Sequence, residues 1–355
     1  MAAEVSVDKG LVSIIVPLYN CEDRILRCVQ SILDQTYENI EVIVINDGST
    51  DNSLKVLKEG ISDSRLKVFT QENHGVSYTR NKGIDIALSN ETDGWITFVD
   101  SDDYIDPNTI YDCLDYDDLD SIELIHYGFR RTTEKDIESH NYCDNNKLII
   151  NRFEALQNFL KGRLGHKYVN GNWITHVTAA LFKKQIINEE NLRFDTTISM
   201  GEDGMFSLRY LDFVKNVRML NKAYYTWWNR AGSLSSANGK KIISKLVKEC
   251  SIIWPTMLDR IISFDHKLDL LYAEWIVSYY GFILNYSAKV NLAYNDVKKY
   301  YSTIFEQQKE LQYVYNQKLN SIHEKISRLM LKSKSMFVSY AVVKLMRIVN
   351  GYGRE

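Results

Sequence analysis

Three aspartates follow an apolar run within four positions, in the segment "GWITFVDSDDYI". They are Asp100, Asp102 and Asp103. Carboxylates this close repel one another, and without Lys or Arg nearby they usually share a cation. Oxygen ligands without sulfur or nitrogen suit Mg²⁺ or Mn²⁺, which favour phosphate-bearing substrates. The segment therefore predicts a metal site, and the alternative is a solvated acidic turn, which the following Asp106-Pro107 pair supports.

Two further segments have residues suited to a nucleotide. Asp47 follows an apolar run in "VINDGSTDNS", where a carboxylate could accept a hydrogen bond from a nucleobase, although Asp-Gly also forms turns and Ser, Thr and Asp cap helices. In "QENHGVSYTRNKGI", Gly75 marks a predicted helix N-terminus and Arg80 supplies a cation. Both features suit phosphate, and the alternative for Arg80 is a surface position on the helix.

Acidic residues also open a later predicted helix, in "GEDGMFSLRYL". Glu202 and Asp203 there could stabilise the first turn through the helix dipole, or one of them could act as a general base toward a hydroxyl group. Downstream, in "YYTWWNRAGSLSS", Arg230 and Ser233 could form a loop over a diphosphate or a polar turn after an aromatic strand. Neither GxGxxG after the first strand nor GxxxxGK[ST] occurs, which argues against a dinucleotide dehydrogenase and a P-loop enzyme.

The first hundred residues alternate between apolar runs and helical periodicity. The predicted strands are 11–19, 40–47, 65–71 and 94–100, and the predicted helices are 21–35, 49–60 and 75–88. Apolar strands separated by helices predict a doubly wound α/β domain with a mostly parallel sheet covered on both faces. Ligands bind such sheets at the carboxyl ends of the strands. The residues at and just after the carboxyl ends of the four strands should therefore form one site; they include Pro17, Tyr19, Asn20, Asp47, Asn73 and Asp100.

Composition limits the function classes. The 355 residues are 45% hydrophobic and have a formal net charge of -3, which is ordinary for a globular protein and does not favour nucleic-acid binding. The five cysteines show no CxxC spacing and are interpreted as reduced thiols. No signal peptide and no apolar run of roughly 18 residues are visible, so the expected location is cytoplasmic, either soluble or peripheral on the inner face of the plasma membrane.

Taken together, six segments in chain order resemble the family 2 glycosyltransferases, which have the GT-A fold. They are "VSIIVPLYN", "INDGSTDNS", "QENHGVSYTRNKGI", "FVDSDDYI", "GEDGMF" and "RAGSLS". The resemblance covers roughly residues 11 to 235. It implies an N-terminal tail (1–10), a catalytic domain (11–235) with a nucleotide-binding half (11–103) and an acceptor half (104–235), and a C-terminal helical region (236–355).

The resemblance also implies residue roles. It implies a nucleotide-sugar donor, with UDP as the expected nucleotide, and inversion at the anomeric carbon. Asp203, supported by Glu202, would deprotonate the acceptor hydroxyl. Asp102, with Asp103 in support, would hold Mn²⁺ or Mg²⁺. The donor would contact Pro17, Tyr19, Asn20, Asp47, Asn73, Arg80, Asp100, Ser101, Arg230 and Ser233.

The implied reaction is transfer of one hexosyl or N-acetylhexosaminyl group to a glycan acceptor, expected to be polyprenyl-linked, in bacterial surface polysaccharide synthesis. The QxxRW motif and membrane helices of processive synthases are missing, so one sugar per encounter is expected. A catalytically silent scaffold is one alternative. A nucleotidyltransferase is another, although it would have a Gly-rich loop where this chain has "PLYNCEDR". His176 is a candidate further metal ligand, or a structural histidine.

The C-terminal segment 326–355 has six Lys or Arg residues and one Glu. On a helical projection the basic residues fall mainly on one half, and Met330, Phe337, Leu345 and Ile348 fall on the other. A basic amphipathic helix could rest on an anionic membrane surface. The alternative is packing against the catalytic domain or against the partner in a homodimer.

Overall fold

The computed structural model describes residues 9–90, 93–132, 137–140, 149–163, 176–198, 201–228, 243, 247, 287–306, 332–333 and 335–349. Contacts between Cα atoms divide the chain into two compact units. One comprises 1–156 with 172–230, and the other comprises 157–171 with 231–355. The expected domain boundaries stay a prediction.

The described residues form ten strands and nine helices of the α type. The strands are β1 (Leu11–Leu18), β2 (Ile40–Asp47), β3 (Leu66–Gln71), β4 (Gly94–Phe98), β5 (Tyr104–Ile105), β6 (Leu124–Thr132), β7 (Ile137–His140), β8 (Ile149–Asn151), β9 (Ala180–Lys183) and β10 (Asn216–Trp228). The helices are α1 (Ile25–Leu33), α2 (Ser53–Gly60), α3 (Val76–Leu88), α4 (Thr109–Leu114), α5 (Arg152–Arg163), α6 (Lys184–Glu189), α7 (Glu202–Tyr210), α8 (Tyr294–Glu306) and α9 (Met336–Val349).

All ten strands join one mixed sheet, in the order β3-β2-β1-β4-β9-β6-β10-β5, with β7 beside β6 and β8 beside β10. The first four strands pair in parallel. Strand β9 runs antiparallel to both β4 and β6 and so joins the two halves of the sheet. The predicted α/β class and the alternation of strands and helices in the first hundred residues are confirmed.

Burial explains why the first strands read as continuous apolar runs. Every residue of β2 is buried, and β1 is buried at six of its eight positions, because helices cover both faces of a parallel sheet. Helix α3 lies close to β1 at Gly83. A Cβ atom at this position would stand 2.4 Å from Cγ2 of Ile15, so only glycine permits this approach.

A cluster of phenylalanine rings fixes α7 to the sheet. Phe206 of α7 packs edge-on against Phe98 of β4 and Phe182 of β9, with ring centroids 6.0 and 5.4 Å apart. It also stacks on Phe194 at 4.3 Å. Phe98, Phe182 and Phe206 are among the largest fully buried side chains of the described residues. The start of α7 is therefore held near the carboxyl end of β4.

In the second unit, α8 and α9 contact each other. The ring of Tyr294 lies edge-on to that of Tyr340 at 5.6 Å, and Lys344 donates a hydrogen bond to the Asn291 side chain. Apolar side chains at Phe337, Leu345 and Ile348 of α9 are 71%, 52% and 68% exposed. Within the described residues, no helix combines the length and hydropathy that a membrane span requires.

Candidate active site

Asp47 at the end of β2 organises the start of α3. Its Oδ1 accepts hydrogen bonds from the Gln71 side chain (2.8 Å) and the backbone N–H of His74 (2.9 Å), and its Oδ2 accepts one from the N–H of Gly75 (2.8 Å). The carboxylate is buried and satisfies two backbone donors at a helix N-terminus, where negative charge is favoured. The structure thus gives Asp47 a definite local role beside the predicted contact with a nucleobase.

The loops after β1, β2 and β3 come together at one edge of the sheet, as expected for a parallel arrangement. The Asn20 side chain bonds the backbone N–H and the hydroxyl of Thr50, and Asn20 itself has a positive φ of 48°. Gly48 has a φ of 69°, and a Cβ atom there would lie 2.8 Å from the backbone nitrogen of Asn73. Asn20 therefore connects two loops of the predicted nucleotide site.

Other residues predicted to contact the donor line the same edge. The Tyr19 side chain is 50% exposed and Asn73 is exposed, whereas Pro17 is half-buried within β1. Exposed side chains at the carboxyl ends of parallel strands are available to a ligand. Arg230 and Ser233 lie outside the described residues.

Helix α1 and the turn before it hold the backbone of the loop formed by residues 100–103, called here the DSDD loop. The thiols of Cys28 and Cys21 each lie 3.4 Å from a carbonyl oxygen, of Asp100 and of Ser101 respectively. Arg27 donates a hydrogen bond to the carbonyl of Asp102 at 3.0 Å. Burial, followed by the charge of Asp103, raises the pKa of Cys28, so this thiol remains a proton donor.

The three aspartates of the DSDD loop have different surroundings. Asp103 is buried; its two carboxylate oxygens accept hydrogen bonds from the Tyr225 hydroxyl (2.5 Å) and the backbone N–H of Trp228 (2.8 Å). Burial, with the charges of Asp100 and Asp102, raises the pKa of Asp103 well above its usual value. These contacts favour the supporting role for Asp103, which anchors the end of β10 beneath the loop.

Arg80 connects the DSDD loop to α7. Its Nη2 lies 2.9 Å from Oδ1 of Asp100, and its Nη1 lies 2.6 Å from Oδ1 of Asp203 and 3.4 Å from Oε1 of Glu202. The guanidinium also lies over the ring of Phe194, 5.3 Å from its centroid. Residues 80, 100 and 202–203, which the sequence placed in three separate segments, therefore form one cluster.

The surface position considered for Arg80 is wrong, because only 3% of its side chain is exposed. Burial opposes the positive charge, but Asp203, Asp100 and Glu202 outweigh it and raise the pKa of Arg80. Both terminal nitrogens are engaged by carboxylates. Arg80 therefore offsets part of the negative charge of these three carboxylates, and its contact with a donor phosphate stays a prediction.

Among the described residues, no group of three or more His, Cys, Asp and Glu side chains is arranged to hold a metal ion. The half-buried side chains of Asp100 and Asp102 are the carboxylates of the DSDD loop that remain accessible. Their oxygen atoms fit Mg²⁺ or Mn²⁺, which accept ligands from a substrate diphosphate as well as from protein. His176 lies edge-on to Phe129, with ring centroids 6.0 Å apart. Its predicted metal contact is therefore not supported by any neighbouring cluster in this part of the chain.

A pair of arginines at the start of α1, with Arg24 directly before the helix and Arg27 in its first turn, was not recognised from the sequence. The guanidinium groups of Arg24 and Arg27 each lie 4.8 Å from the ring centroid of Trp228, and Arg27 also lies over Tyr104 at 4.4 Å. These cation–π contacts place positive charge beside the DSDD loop. The run "YYTWW" was interpreted only as an aromatic strand, and its pairing with α1 has no signal in local sequence.

An aromatic cavity opens beside Asp203 and was also not recognised from the sequence. Its volume is about 160 Å³, and its lining includes Asp100, Asp203, Phe129, His176, Tyr225 and Trp227. The aromatic members come from β6, from β10 and from the segment before β9, so no short sequence pattern could predict it. Asp100 and Asp203 of the Arg80 cluster thus face a concave surface with the aromatic composition typical of small-ligand sites.

Comparison with known proteins is consistent with this geometry. The family model described as Glycosyl transferase family 2 matches residues 13–189. Glycosyltransferase GlyA of Streptococcus pneumoniae serotype 4 is 32% identical over 68% of this chain, but the match spans only 34% of GlyA. Glycosyltransferase GlyG of the same organism is 30% identical over 63% of this chain and 72% of its own length.

Among solved structures, S. aureus TarS 1–349 in complex with UDP-GlcNAc has a TM-score of 0.70 at 18% identity, over 97% of this chain and 93% of that one. This similarity confirms the predicted GT-A fold.

Replacing Arg80 by methionine should lower the free energy of unfolding by about 3 kcal/mol, because three carboxylates would lose their buried counter-charge. This value lies at the low end for a broken buried pair, since Asp100, Glu202 and Asp203 are 39%, 15% and 22% exposed. Urea unfolding measures the effect. The control is Arg193→Met, whose partner Asp85 on α3 is 62% exposed and should contribute no more than about 1 kcal/mol. Equal losses of unfolding free energy in the two variants would contradict the prediction that the buried Arg80 cluster stabilises the fold more than an exposed ion pair does.

Proposed function

The chain belongs to glycosyl transferase family 2, and we propose that it transfers one sugar from a nucleotide-sugar donor to a hydroxyl group of a glycan acceptor. The main support for this proposal is that the guanidinium of Arg80 binds both Asp100 and Asp203. A carboxylate on the nucleotide side of the sheet thereby stands near a carboxylate that faces a cavity. This is the arrangement that direct transfer between two bound sugars requires.

The donor is proposed to bind across the carboxyl edge of β1 to β4, with UDP as the expected nucleotide. TarS, the solved structure with the similar fold, was obtained with UDP-GlcNAc. The exposed Tyr19 and the buried carboxylate of Asp47 supply an aromatic surface and a hydrogen-bond acceptor for the base. Arg24 and Arg27 supply positive charge close to the DSDD loop, where the diphosphate would lie.

The metal is proposed to bind at Asp102, with Asp100 adjacent on the nucleotide-sugar side. A divalent ion there would offset the negative charge that grows on the departing diphosphate. The chain contributes the orientation, because α1 and the turn before it hold the loop backbone through the carbonyls of residues 100, 101 and 102. Asp103 keeps the loop attached to β10.

Asp203 is proposed to remove the proton from the acceptor hydroxyl, with Glu202 in support. Both residues lie in the first turn of α7, and the contact with Arg80 holds the Asp203 carboxylate in position. A base on the face of the sugar opposite to the leaving group produces a single displacement with inversion, as in inverting glycosidases. By binding both carboxylates, Arg80 fixes the distance between Asp203 and Asp100, the residue proposed to contact the donor.

The biological setting is proposed to be synthesis of a bacterial surface polysaccharide, with one sugar added per encounter. The relatives GlyA and GlyG are named glycosyltransferases of a bacterium, which supports this setting. A polyprenyl-linked acceptor would place the enzyme at the inner face of the plasma membrane. The exposed apolar side chains of α9, a helix without an acidic residue, are suited to contact an anionic lipid surface.

Membrane contact through α9 predicts that the triple variant Phe337→Ser, Leu345→Ser, Ile348→Ser binds anionic vesicles more weakly, by at least about fivefold, because apolar area no longer enters the interface. Co-sedimentation with phosphatidylglycerol–phosphatidylcholine vesicles at low salt measures binding. The control is Phe213→Ser, which removes a 39% exposed phenylalanine from the first unit. Equal binding by the triple variant and the wild type would contradict lipid contact through α9.

Metal-assisted transfer predicts that Mn²⁺ increases both the thermal stabilisation by UDP and the rate of hydrolysis of a UDP-sugar. In Asp102→Asn, the increase caused by Mn²⁺ should be at least tenfold smaller. The physical reason is loss of a charged oxygen ligand. A panel of UDP-, GDP- and dTDP-sugars in the same assay identifies the nucleotide. The control is Asp115→Asn, which removes one exposed charge outside the DSDD loop. Full Mn²⁺ dependence in Asp102→Asn would contradict the metal assignment.

A further inference from the structure

The aromatic cavity beside Asp203 has a lining that differs from the nucleotide edge. We define the aromatic recess as the part of this cavity formed by Phe129, His176, Tyr225 and Trp227. Phe129 packs edge-on against both His176 and Trp227, with ring centroids 6.0 and 6.5 Å apart. Tyr225 is fixed from below, since its hydroxyl donates to Asp103 and accepts from the backbone N–H of Asp100. The walls are therefore held in place before any ligand binds.

The position of the recess in the sheet separates it from the nucleotide edge. Phe129 belongs to β6, and Tyr225 and Trp227 belong to β10, both of which lie beyond β4 and β9 in the strand order. The predicted nucleotide contacts follow β1, β2 and β3, on the other side of β4. Asp100 and Asp203 line the cavity between these two regions. A ring bound in the recess would therefore approach Asp203 from the side away from the nucleotide.

The chemistry of the lining selects the kind of ligand. Aromatic side chains bind the C–H face of a pyranose ring, while His176 and the carboxylate of Asp203 offer hydrogen-bond partners to its hydroxyl groups. The described lining contains three carboxyl groups, those of Asp100, Asp103 and Asp203, and no lysine or arginine. The nearby guanidinium of Arg80 already binds Asp100 and Asp203 through both terminal nitrogens. Three carboxylates, of Asp100, Glu202 and Asp203, share this one positive charge, so an anionic sugar would meet net negative charge there.

We propose that the aromatic recess binds an uncharged pyranose ring of the acceptor, stacked on Trp227, with one hydroxyl group directed at Asp203. This inference rests on the proposed transferase function and specifies the substrate class of its acceptor side. It makes Trp227 a specificity-determining residue and excludes a uronic acid or a phosphorylated sugar as the ring that is glycosylated. A cavity of about 160 Å³ has room for one such ring, so the rest of the acceptor lies outside.

The test uses the full chain with UDP and Mn²⁺ present. Neutral methyl pyranosides (glucoside, galactoside and N-acetylglucosaminide) and methyl glucuronide serve as probes, and saturation-transfer NMR measures their binding. The variants are Trp227→Ala and the ring-retaining Trp227→Phe. The control is Trp228→Phe, because Trp228 packs on Arg24 and Arg27 and does not line the recess. Stabilisation by UDP and Mn²⁺ is recorded for every variant to establish that each is folded and binds the nucleotide.

The expected result is that at least one neutral pyranoside binds, that methyl glucuronide binds at least tenfold more weakly, and that Trp227→Ala weakens the neutral probe about tenfold. Trp227→Phe should recover most of the binding, and Trp228→Phe should match the wild type. Equal binding of the glucuronide, equal effects at Trp227 and Trp228, or no pyranoside binding while UDP still stabilises the protein would overturn the inference alone. Loss of UDP stabilisation in the wild type would count against the proposed function as well.

If the aromatic recess instead binds the sugar of the donor, the competition between ligands differs. In that case a UDP-sugar would displace the neutral pyranoside, whereas UDP at the same concentration would not. That outcome would overturn the acceptor assignment. Simultaneous binding of the UDP-sugar and the pyranoside supports it.

Discussion

The guanidinium of Arg80 is buried in this protein, and a buried charge must be paired with opposite charge. Its partners come from two segments about a hundred residues apart, the DSDD loop after β4 and the first turn of α7. Pairing with this buried cation therefore holds the carboxylates of Asp100, after β4, and of Asp203, in α7, close together. We propose that this pairing sets the geometry for transfer between two substrates.

The surrounding packing makes this arrangement rigid. Phe206 anchors α7 against Phe98 at the end of β4, so both carboxylate segments rest on the same group of rings. Asp103 anchors the DSDD loop from below by binding Tyr225 and Trp228. Within the DSDD loop, Asp103 thus holds the structure, and ligand binding is proposed for Asp100 and Asp102. The internal repulsion of the loop is reduced because Asp103 is buried with a raised pKa and Asp100 is paired with Arg80.

Local sequence predicts the elements of the nucleotide-binding half well, because each strand there is a continuous apolar run and each helix has a periodic face. It also predicts that Asp47 and Asp100 share one edge of the sheet, since parallel strands direct their carboxyl ends the same way. It does not predict the burial of Arg80, whose partners are distant in the chain. Local sequence does not predict the aromatic recess either, because Phe129, His176 and Trp227 come together only through the pairing of β6 with its neighbours.

The central claim is that Asp203 is the base that acts on a separately bound donor. The most direct measurement compares donor binding and sugar transfer in Asp203→Asn, which keeps an oxygen acceptor for Arg80 and removes the basic carboxylate. The account predicts that the dissociation constant for the UDP-sugar with Mn²⁺ changes by less than about threefold, whereas transfer falls by about 10²–10⁴-fold, the usual contribution of a general base. Undiminished transfer, or parallel loss of donor binding and transfer, would contradict it.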